Sequence, residues 1–151
     1  MHPLFVRQAV LADLDIGAAL FDEYRQFQGR ESDFSAARGF LQARFEHGES
    51  VVFIAYEGEI ALGFAQLYPS FSSVSLARVF ILNDLFVREA GRRKGVASEL
   101  LDAAETYARA LGAVRLSLVA AHANTVAQSM YEAKGWKRDQ QFLAYHYALQ
   151  D

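Results

Sequence analysis

Residues 87–97 read Val-Arg-Glu-Ala-Gly-Arg-Arg-Lys-Gly-Val-Ala and join a predicted strand to a predicted helix. Four of the 15 basic residues of the chain fall within positions 88–94, offset by a single acid. The N-terminus of a helix presents unpaired backbone N–H groups and the positive end of the helix dipole, so it favours a bound phosphate. Gly95 has no Cβ to keep a pyrophosphate from the backbone, and the small Ala97 leaves the first turn open. The segment predicts either a phosphate-binding turn or a solvated basic turn in which glycine serves backbone geometry alone.

Two other phosphate-binding motifs are absent from this segment. Lys94 precedes Gly95 instead of following the second glycine of G-x-x-x-x-G-K-[ST], and no G-x-G-x-x-G occurs. A nucleoside-triphosphate site and a dinucleotide site are therefore disfavoured.

A second segment, residues 124–136, places several side chains on the same side of a predicted helix. Asn124, Ala127, Gln128 and Tyr131 share this side. Asn124 could cap the helix, and Tyr131 could be a core tyrosine with a satisfied hydroxyl. Taken alone, the segment favours these structural roles over contact with a ligand.

The hydrophobic pattern extends these segments into alternating strands and helices. Strands are predicted over residues 4–8, 51–56, 60–68, 76–87, 114–119 and 142–149, and helices over 13–28, 96–111 and 125–134, with a further helix between an N-cap at Ser35 and Gly48. Pro69 is expected to end the third of these strands. Three consecutive strands between residues 51 and 87 predict a meander, and later strand–helix–strand units predict some parallel pairing, so the fold class is mixed α/β. No linker or repeat interrupts the chain, so one domain is expected over residues 1–151.

The composition excludes several classes of protein. The chain has 151 residues, of which 52% are hydrophobic and 13% aromatic, and these values speak against disorder. It contains no cysteine, which excludes disulfides, thiolate metal sites and a cysteine nucleophile within it and favours the cytosol. A net charge of −3 speaks against broad nucleic-acid binding, and no apolar run approaches the roughly 18 residues of a membrane span. The four histidines show no metal-ligand spacing, so no metal is expected.

Together, the two segments resemble the GNAT N-acetyltransferases. Arg92-x-x-Gly95-x-Ala97, after a strand that ends Leu85-Phe86-Val87, is similar to the acetyl-CoA motif of that family. Asn124-x-x-Ala127-x-x-x-Tyr131-x-x-x-Gly135-Trp136 is similar to its second motif. The resemblance implies one domain whose central mixed, mostly antiparallel sheet splays at the cofactor site and is flanked by helices.

The resemblance also implies acetyl-CoA as cofactor. Backbone groups of Leu85, Phe86 and Val87 would pair with the pantetheine arm as an added strand. The pyrophosphate would be held at the turn by Arg92, Arg93, Lys94, Gly95, Val96, Ala97 and Ser98. Asn124 would contact the pantetheine, Tyr131 would lie near the thioester sulfur, and Lys134 would reach the adenosine phosphate.

The implied reaction is direct attack of an amine on the thioester carbonyl, without a covalent enzyme intermediate. Tyr131 would protonate the leaving thiolate, and the N–H of Val87 would polarise the carbonyl. Asp84 is the only carboxylate within its predicted strand. It could accept the amine proton directly or through water, or it could pair with a neighbour and merely hold the strand.

The sequence leaves the acceptor open. Residues 63–68 and 81–87 are similar to the spermidine/spermine acetyltransferase branch, which carries glutamate, reported as the base, at the position of Asn83. Asn83 cannot take a proton, which speaks against a polyamine. An acceptor pocket is expected from the first two helices and the loop after Tyr68. Negative charge for a cationic amine could be supplied there by Glu23, Tyr24, Glu31 and Asp33. Such residues are more commonly solvated charges at helix ends.

The expected partner is therefore a small-molecule amine: a polyamine, an amino acid or an analogue. Two alternatives remain open at this point, namely acetylation of protein lysines or N-termini, and an acyl-CoA-binding module with weak turnover. No nucleic acid or membrane partner is expected. A homodimer is common in the family, and the aromatic last strand, with Phe142, Tyr145 and Tyr147, could pair with a second copy.

Overall fold

The computed structural model describes residues 2–150, which divide into two units, 2–118 and 119–150. The first unit contains a sheet, three α-helices and two short 3-10 helices (Leu11–Asp13 and Glu89–Gly91). Its main elements are β1 (Leu4–Gln8), α1 (Leu14–Phe27), α2 (Phe34–Glu46), β2 (Val51–Glu57), β3 (Ile60–Ser72), β4 (Ala77–Val87), α3 (Val96–Ala110) and β5 (Leu116–Ser117). The second unit contains α4 (Thr125–Ala133).

The strands form one open sheet in the order β1-β2-β3-β4-β5. The pairs β1–β2, β2–β3 and β3–β4 are antiparallel, and β5 is parallel to β4. The predicted meander over residues 51–87 and the mixed α/β fold class are therefore confirmed. The single domain over residues 1–151 stays a prediction.

Helices cover both faces of this sheet. Successive residues of a strand point to opposite faces, and α1 and α3 therefore meet different residues of the meander. The ring of Phe64 contacts Phe21 of α1, whereas Phe53 contacts Tyr107 of α3, with 5.6 Å between ring centres. The helices α1 and α2 thus pack on one face and α3 on the other. Each helix buries a leucine completely or nearly so, at Leu20, Leu41 and Leu100 respectively.

Strands β3 and β4 approach each other closely at Gly63. Gly63 pairs with Val87, and a Cβ built on it would lie 2.5 Å from the carbonyl oxygen of Phe86. Any side chain at this position would push the end of β4 away from β3. The glycine therefore fixes where the last residues of β4 lie.

Two predicted boundaries in this unit are wrong. Pro69 does not end β3, which continues to Ser72. Pairing with β2 stops at Leu67, so the residues after it have a strand partner on one edge alone, where a residue without an N–H is tolerated. The N-cap of α2 is Asp33 rather than Ser35, because the Asp33 carboxylate accepts a hydrogen bond from the N–H of Ala36.

The strands predicted in the last third of the chain are shorter than expected or not formed. The strand over residues 114–119 reduces to β5, which pairs with Phe80 and Ile81. The prediction of a strand over residues 142–149 is wrong, because residues 137–150 of the second unit contain neither helix nor strand. An alternating apolar pattern does not by itself supply the hydrogen-bonded neighbour that a strand needs. Among residues 2–150 there is no helix long and apolar enough to cross a membrane.

Candidate active site

Asp84 lies in β4 with its carboxylate inside the first unit. The residue is 4% exposed, and two amides donate to it: Gln66 Nε2 to Oδ2 at 2.5 Å and Asn83 Nδ2 to Oδ1 at 3.1 Å. Burial raises the pKa of Asp84, against the opposing effect of hydrogen bonds from Gln66, Asn83 and Tyr24. A carboxylate with a raised pKa binds a proton more readily than an exposed one, which suits a general base.

A cavity of about 510 Å³ opens beside Asp84. Asn83 contributes to its lining, and four aromatic side chains from α1, α2 and β3 form much of the wall: Phe21, Tyr24, Phe40 and Tyr68. Burial, together with the charge of Asp84, raises the pKa of Tyr68 to about 12. The phenol is therefore neutral at physiological pH. The volume and the largely apolar wall, with a few polar groups, are typical of small-molecule sites.

The three acids predicted to attract an amine lie outside this lining. Glu23 binds the guanidinium of Arg88 through both carboxylate oxygens, at 2.8 and 2.6 Å. Asp33 is used as the cap of α2, and Glu31 is exposed in the turn before that helix. The carboxylate that does line the cavity is that of Asp84.

The cavity also contains two cations that the sequence analysis missed. Arg25 lies in the last turn of α1, Arg30 follows the helix, and both line the cavity. The N–H of Arg30 donates to the carbonyl oxygen of Arg25 at 2.9 Å, across a turn in which Gly29 has a φ of +92°. This is a helix C-cap that depends on glycine. Gly29 after the helical pattern was the available signal, and it would have placed both arginines at one end of α1.

Gln66 is a further residue that the sequence analysis missed. It is the strand partner of Asp84 across β3 and β4, and it is completely buried. Its Oε1 atom has no hydrogen-bond partner within the part of the chain that the structure describes. A lone amide in an otherwise apolar strand was the available signal for this partner.

The end of β4 has one free edge. Strand β5 pairs only with Phe80 and Ile81, so within residues 2–118 the stretch 82–87 has no strand partner on the side away from β3. We name this side of residues 82–87 the free edge of β4. It lies where the family resemblance expects the pantetheine arm to add as a strand.

The backbone donors at this free edge follow from the pairing with β3. The N–H of Arg88 donates to the carbonyl oxygen of Leu62 at 2.7 Å, and successive residues of a strand direct their N–H groups to opposite edges. The N–H groups of Leu85 and Val87 therefore face the free edge, whereas that of Phe86 faces β3. Two of the three predicted backbone contacts are thus positioned for an added strand.

The basic turn leads into α3 through left-handed residues. Arg93 has a φ of +61° and Gly95 a φ of +80°, and Gly95 is an N-cap without a side-chain hydrogen bond to the helix. A Cβ built on Gly95 would meet nothing within 4 Å, so glycine serves the backbone conformation and the space around it is open. The N–H groups of Val96 and Ala97 have no partner inside the helix because they belong to its first turn.

Two of the four basic side chains in this turn are already paired. Lys94 forms an ion pair with Glu57 at 3.3 Å, and Arg88 is held by α1 as described above. Within residues 2–150, Arg92 and Arg93 have no ion pair. Their charges therefore remain available to an anion at the start of α3.

A row of side chains connects the basic turn with the cavity. The guanidinium of Arg92 lies 5.8 Å from the centre of the Phe27 ring. The Phe27 ring lies 6.1 Å from that of Phe86, which in turn lies 6.1 Å from the ring of Tyr24 on the cavity wall. The predicted cofactor turn and the cavity beside Asp84 are therefore neighbouring parts of the same unit.

In the second unit, hydrogen bonds close both ends of α4. Asn124 is the N-cap, and its side chain accepts from the N–H of Ala127 at 3.2 Å. At the other end Gly135 has a φ of +97°, and the N–H of Trp136 donates to the carbonyl oxygen of Tyr131. The capping role that the sequence favours for Asn124 is confirmed. Its contact with pantetheine stays a prediction.

Tyr131 is half-buried on α4 beside Trp136, with 5.9 Å between the ring centres. Burial raises the pKa of its phenol, so the hydroxyl is protonated at neutral pH. Lys134 is the C-cap residue of the same helix. The roles predicted for these two residues toward the cofactor stay predictions.

The sequence from residue 17 to residue 136 matches the model of the acetyltransferase (GNAT) family. The chain belongs to the GNAT family of acetyltransferases. The family resemblance carried by the two motifs is thereby confirmed. The resemblance to the spermidine/spermine branch stays a prediction.

This GNAT acetyltransferase is similar to several known proteins over nearly its whole length. An uncharacterised N-acetyltransferase of Bacillus subtilis (strain 168), YhfO, is 47% identical over 144 residues, which cover 95% of each chain. A probable acetyltransferase of known crystal structure is 45% identical with a TM-score of 0.91, covering 97% of this chain and 98% of that one. The aminoglycoside N-acetyltransferase AAC(6')-Iy, solved in complex with CoA, shares the fold at 20% identity with a TM-score of 0.80, covering 97% and 96%.

GNAT acetyltransferases take their acyl group from acetyl-CoA. In the part of the GNAT acetyltransferase that the structure describes, no group of three or more metal-ligating side chains could hold a metal ion.

Proposed function

We propose that this enzyme transfers the acetyl group of acetyl-CoA to the primary amine of a small molecule, such as a polyamine, an amino acid or an analogue. The observation that carries the proposal is the position of Asp84. Its buried carboxylate lines the aromatic cavity, and Asp84 immediately precedes Leu85, whose N–H group faces the free edge of β4. A base for the amine and backbone donors for the acyl donor are therefore supplied by neighbouring residues of one strand.

The residues of the first unit fit acetyl-CoA. Open space around Gly95 lies before the first N–H groups of α3, where a pyrophosphate would bind. Arg92 and Arg93 add positive charge to this end of the helix. The N–H groups of Leu85 and Val87 would pair with the extended pantetheine arm, and acetyl-CoA supplies the thioester whose acyl group is transferred.

Asp84 acts as the base in this proposal. An alkylammonium group with a pKa of about 10 must lose a proton before its nitrogen can attack. Burial raises the pKa of the Asp84 carboxyl and so strengthens it as a proton acceptor. A carboxylate has roughly four acceptor positions, of which Gln66, Asn83 and Tyr24 use three, so one remains for the amine. The N–H of Val87 would stabilise negative charge on the carbonyl oxygen during attack.

Residues of the second unit enter the proposal through the family resemblance. Tyr131 would donate a proton to the leaving thiolate, and its raised pKa supports this role because a proton donor must be protonated at neutral pH. The Oδ1 atom of Asn124 is used by the helix cap, which leaves its Nδ2 group for the pantetheine. Lys134 would reach the adenosine phosphate.

Asp84→Asn tests the proposal most directly. We expect kcat at neutral pH to fall by about 10²–10⁴-fold, the loss to shrink at higher pH, and calorimetry to show an unchanged Kd for acetyl-CoA. Asp15→Asn is the matched control, because Asp15 is an exposed acid of α1 that pairs with Arg38 outside the cavity. An Asp84→Asn enzyme that follows the wild-type pH–rate profile would return Asp84 to a structural role.

The same assays separate the two alternatives. Tight binding of acetyl-CoA without release of CoA for any amine would indicate an acyl-CoA-binding module. Faster acetylation of a peptide library than of free amines would indicate a protein acetyltransferase. The volume of the cavity, about 510 Å³, favours a small acceptor over a protein segment. A cytosolic location, from the absence of cysteine, and a homodimer, from the family resemblance, stay predictions.

A further inference from the structure

We infer that the acceptor carries a carboxylate as well as its primary amine, and that Arg25 and Arg30 bind this carboxylate. The inference rests on the proposed function and narrows its acceptor to amino-carboxylic acids. It starts from the two positive charges of Arg25 and Arg30, which line the same cavity as Asp84.

The two arginines have capacity for an anionic ligand. Both line the cavity that holds Asp84, and within residues 2–150 neither forms an ion pair with a carboxylate. The pKa of Asp22 is lowered by hydrogen bonds from the N–H of Asp33 and from Ser32, and further by the charge of Arg25. The oxygens of Asp22 already accept hydrogen bonds from Ser32 Oγ at 2.7 Å and from the N–H of Asp33 at 2.8 Å.

These contacts also fix the backbone between the two helices. Asp22 of α1 holds Ser32 and Asp33, and Arg30 is bonded through its N–H to the end of the same helix. Arg25 and Arg30 therefore lie on a segment whose backbone is fixed by hydrogen bonds in the absence of a ligand. A site arranged in advance loses less entropy on binding than one that must first order itself.

The arrangement of charge matches a zwitterion better than a polyamine. The ammonium group of an amino acid would lie at Asp84, and its carboxylate would lie at the guanidinium groups, whose planar forks match carboxylate geometry. The aromatic rings of the wall would contact the carbon skeleton between them. A polyamine would instead bring its second ammonium group toward Arg25 and Arg30, and like charges repel.

Matched pairs of acceptors test the inference. Ornithine with putrescine, lysine with cadaverine, and phenylalanine with phenethylamine differ within each pair only by the α-carboxylate. We expect kcat/KM, measured by release of CoA, to be about tenfold or more higher for the amino acid of each pair. The amino acids are to be tried as both enantiomers.

Two variants connect the preference to the arginines. In Arg30→Gln and in Arg25→Gln we expect KM for the amino acids to rise by about tenfold, with kcat/KM for putrescine and cadaverine unchanged or increased. Arg109→Gln is the matched control, because Arg109 is an exposed arginine of α3 that pairs with Glu105 away from the cavity. A rise of KM for the amines and the amino acids alike would point to general disturbance of the cavity and would overturn the inference.

The outcomes for the inference and for the proposed function are distinguishable. If kcat/KM for the diamines equals that for their amino-acid partners, the inference is overturned and the proposed function stands. Calorimetric binding of an amino acid that is lost in Arg30→Gln, without turnover of any amine, supports the carboxylate site and overturns the proposed function. If no amino acid is bound and none is acetylated, the inference is overturned.

Discussion

Gly63→Ala adds one methyl group where β3 and β4 lie closest. The new Cβ would lie 2.5 Å from the carbonyl oxygen of Phe86 and 3.2 Å from the Cα of Val87. Both are backbone atoms, so no side-chain rotation relieves the contact and the strands must separate. Overpacking of this kind costs about 1–3 kcal/mol. For a chain of this length about 2–4 °C of Tm corresponds to each kcal/mol, so we expect Tm to fall by about 2–12 °C.

The same separation displaces the free edge of β4. If residues 85–87 contact the pantetheine, the KM for acetyl-CoA rises together with the loss of stability, by about tenfold for each 1.4 kcal/mol of lost binding. Thermal melts and steady-state kinetics on one preparation measure both effects.

Gly39→Ala is the control for this substitution. Gly39 lies in α2, and a Cβ there would meet nothing within 4 Å. Alanine is the better helix former, by about 0.5–1 kcal/mol, so Tm should stay constant or rise. A Gly63→Ala protein with unchanged Tm would refute the close approach of the strands. A lowered Tm with an unchanged KM for acetyl-CoA would remove the free edge from the cofactor site.

Four further predictions concern single side chains. The pKa of Asp84 is raised in the fold, so ionisation of Asp84 destabilises the fold as the pH rises above the ordinary carboxyl range. The Tm of Asp84→Asn minus the Tm of the wild type should therefore increase from about pH 4 to pH 7. A difference that stays constant with pH would contradict this. Gly95→Asp should weaken acetyl-CoA binding by about tenfold or more in calorimetry, because it adds a negative charge and a strained side chain at the start of α3. Tyr131→Phe should lower kcat by about 10²–10⁴-fold with little change in Tm; full activity with a Tm reduced by the loss of about 1 kcal/mol would indicate a core tyrosine instead. Gly29→Ala should destabilise the fold by about 1 kcal/mol in urea unfolding and raise KM for the acceptor, because a φ of +92° suits glycine.

The parts of the site that the sequence predicts are those determined by near neighbours along the chain. The turn from β4 into α3 was predicted from glycine and from the helix start, and both act within a few residues. The errors at Ser35 and Pro69 have different origins. An acid two residues before Ser35 competes for the cap, and the tolerance of β3 for Pro69 depends on where β2 stops pairing.

The composition of the cavity depended on contacts that are remote in sequence. Glu23 was predicted as an acceptor acid, but Arg88, 65 positions away, takes both of its carboxylate oxygens. Gln66 meets Asp84 because β3 and β4 are paired, with a register shift directly after Gln66. Charge patterns along one helix do not reveal such partners, so the sequence does not indicate that Arg25 and Arg30 line the cavity.

Arg88 connects the free edge of β4 with helix α1. It follows the free edge of β4 directly, and its guanidinium donates to Glu23 of α1 and to the carbonyl oxygen of Ala61. Glu23 is adjacent in sequence to Tyr24 on the cavity wall. A molecule that shifts the end of β4 must therefore strain or move α1, so the affinities of the proposed cofactor site and the proposed amine site would share one coupling free energy. Because such coupling is reciprocal, any change that acetyl-CoA makes to the affinity for the amine is matched by an equal effect of the amine on the affinity for acetyl-CoA.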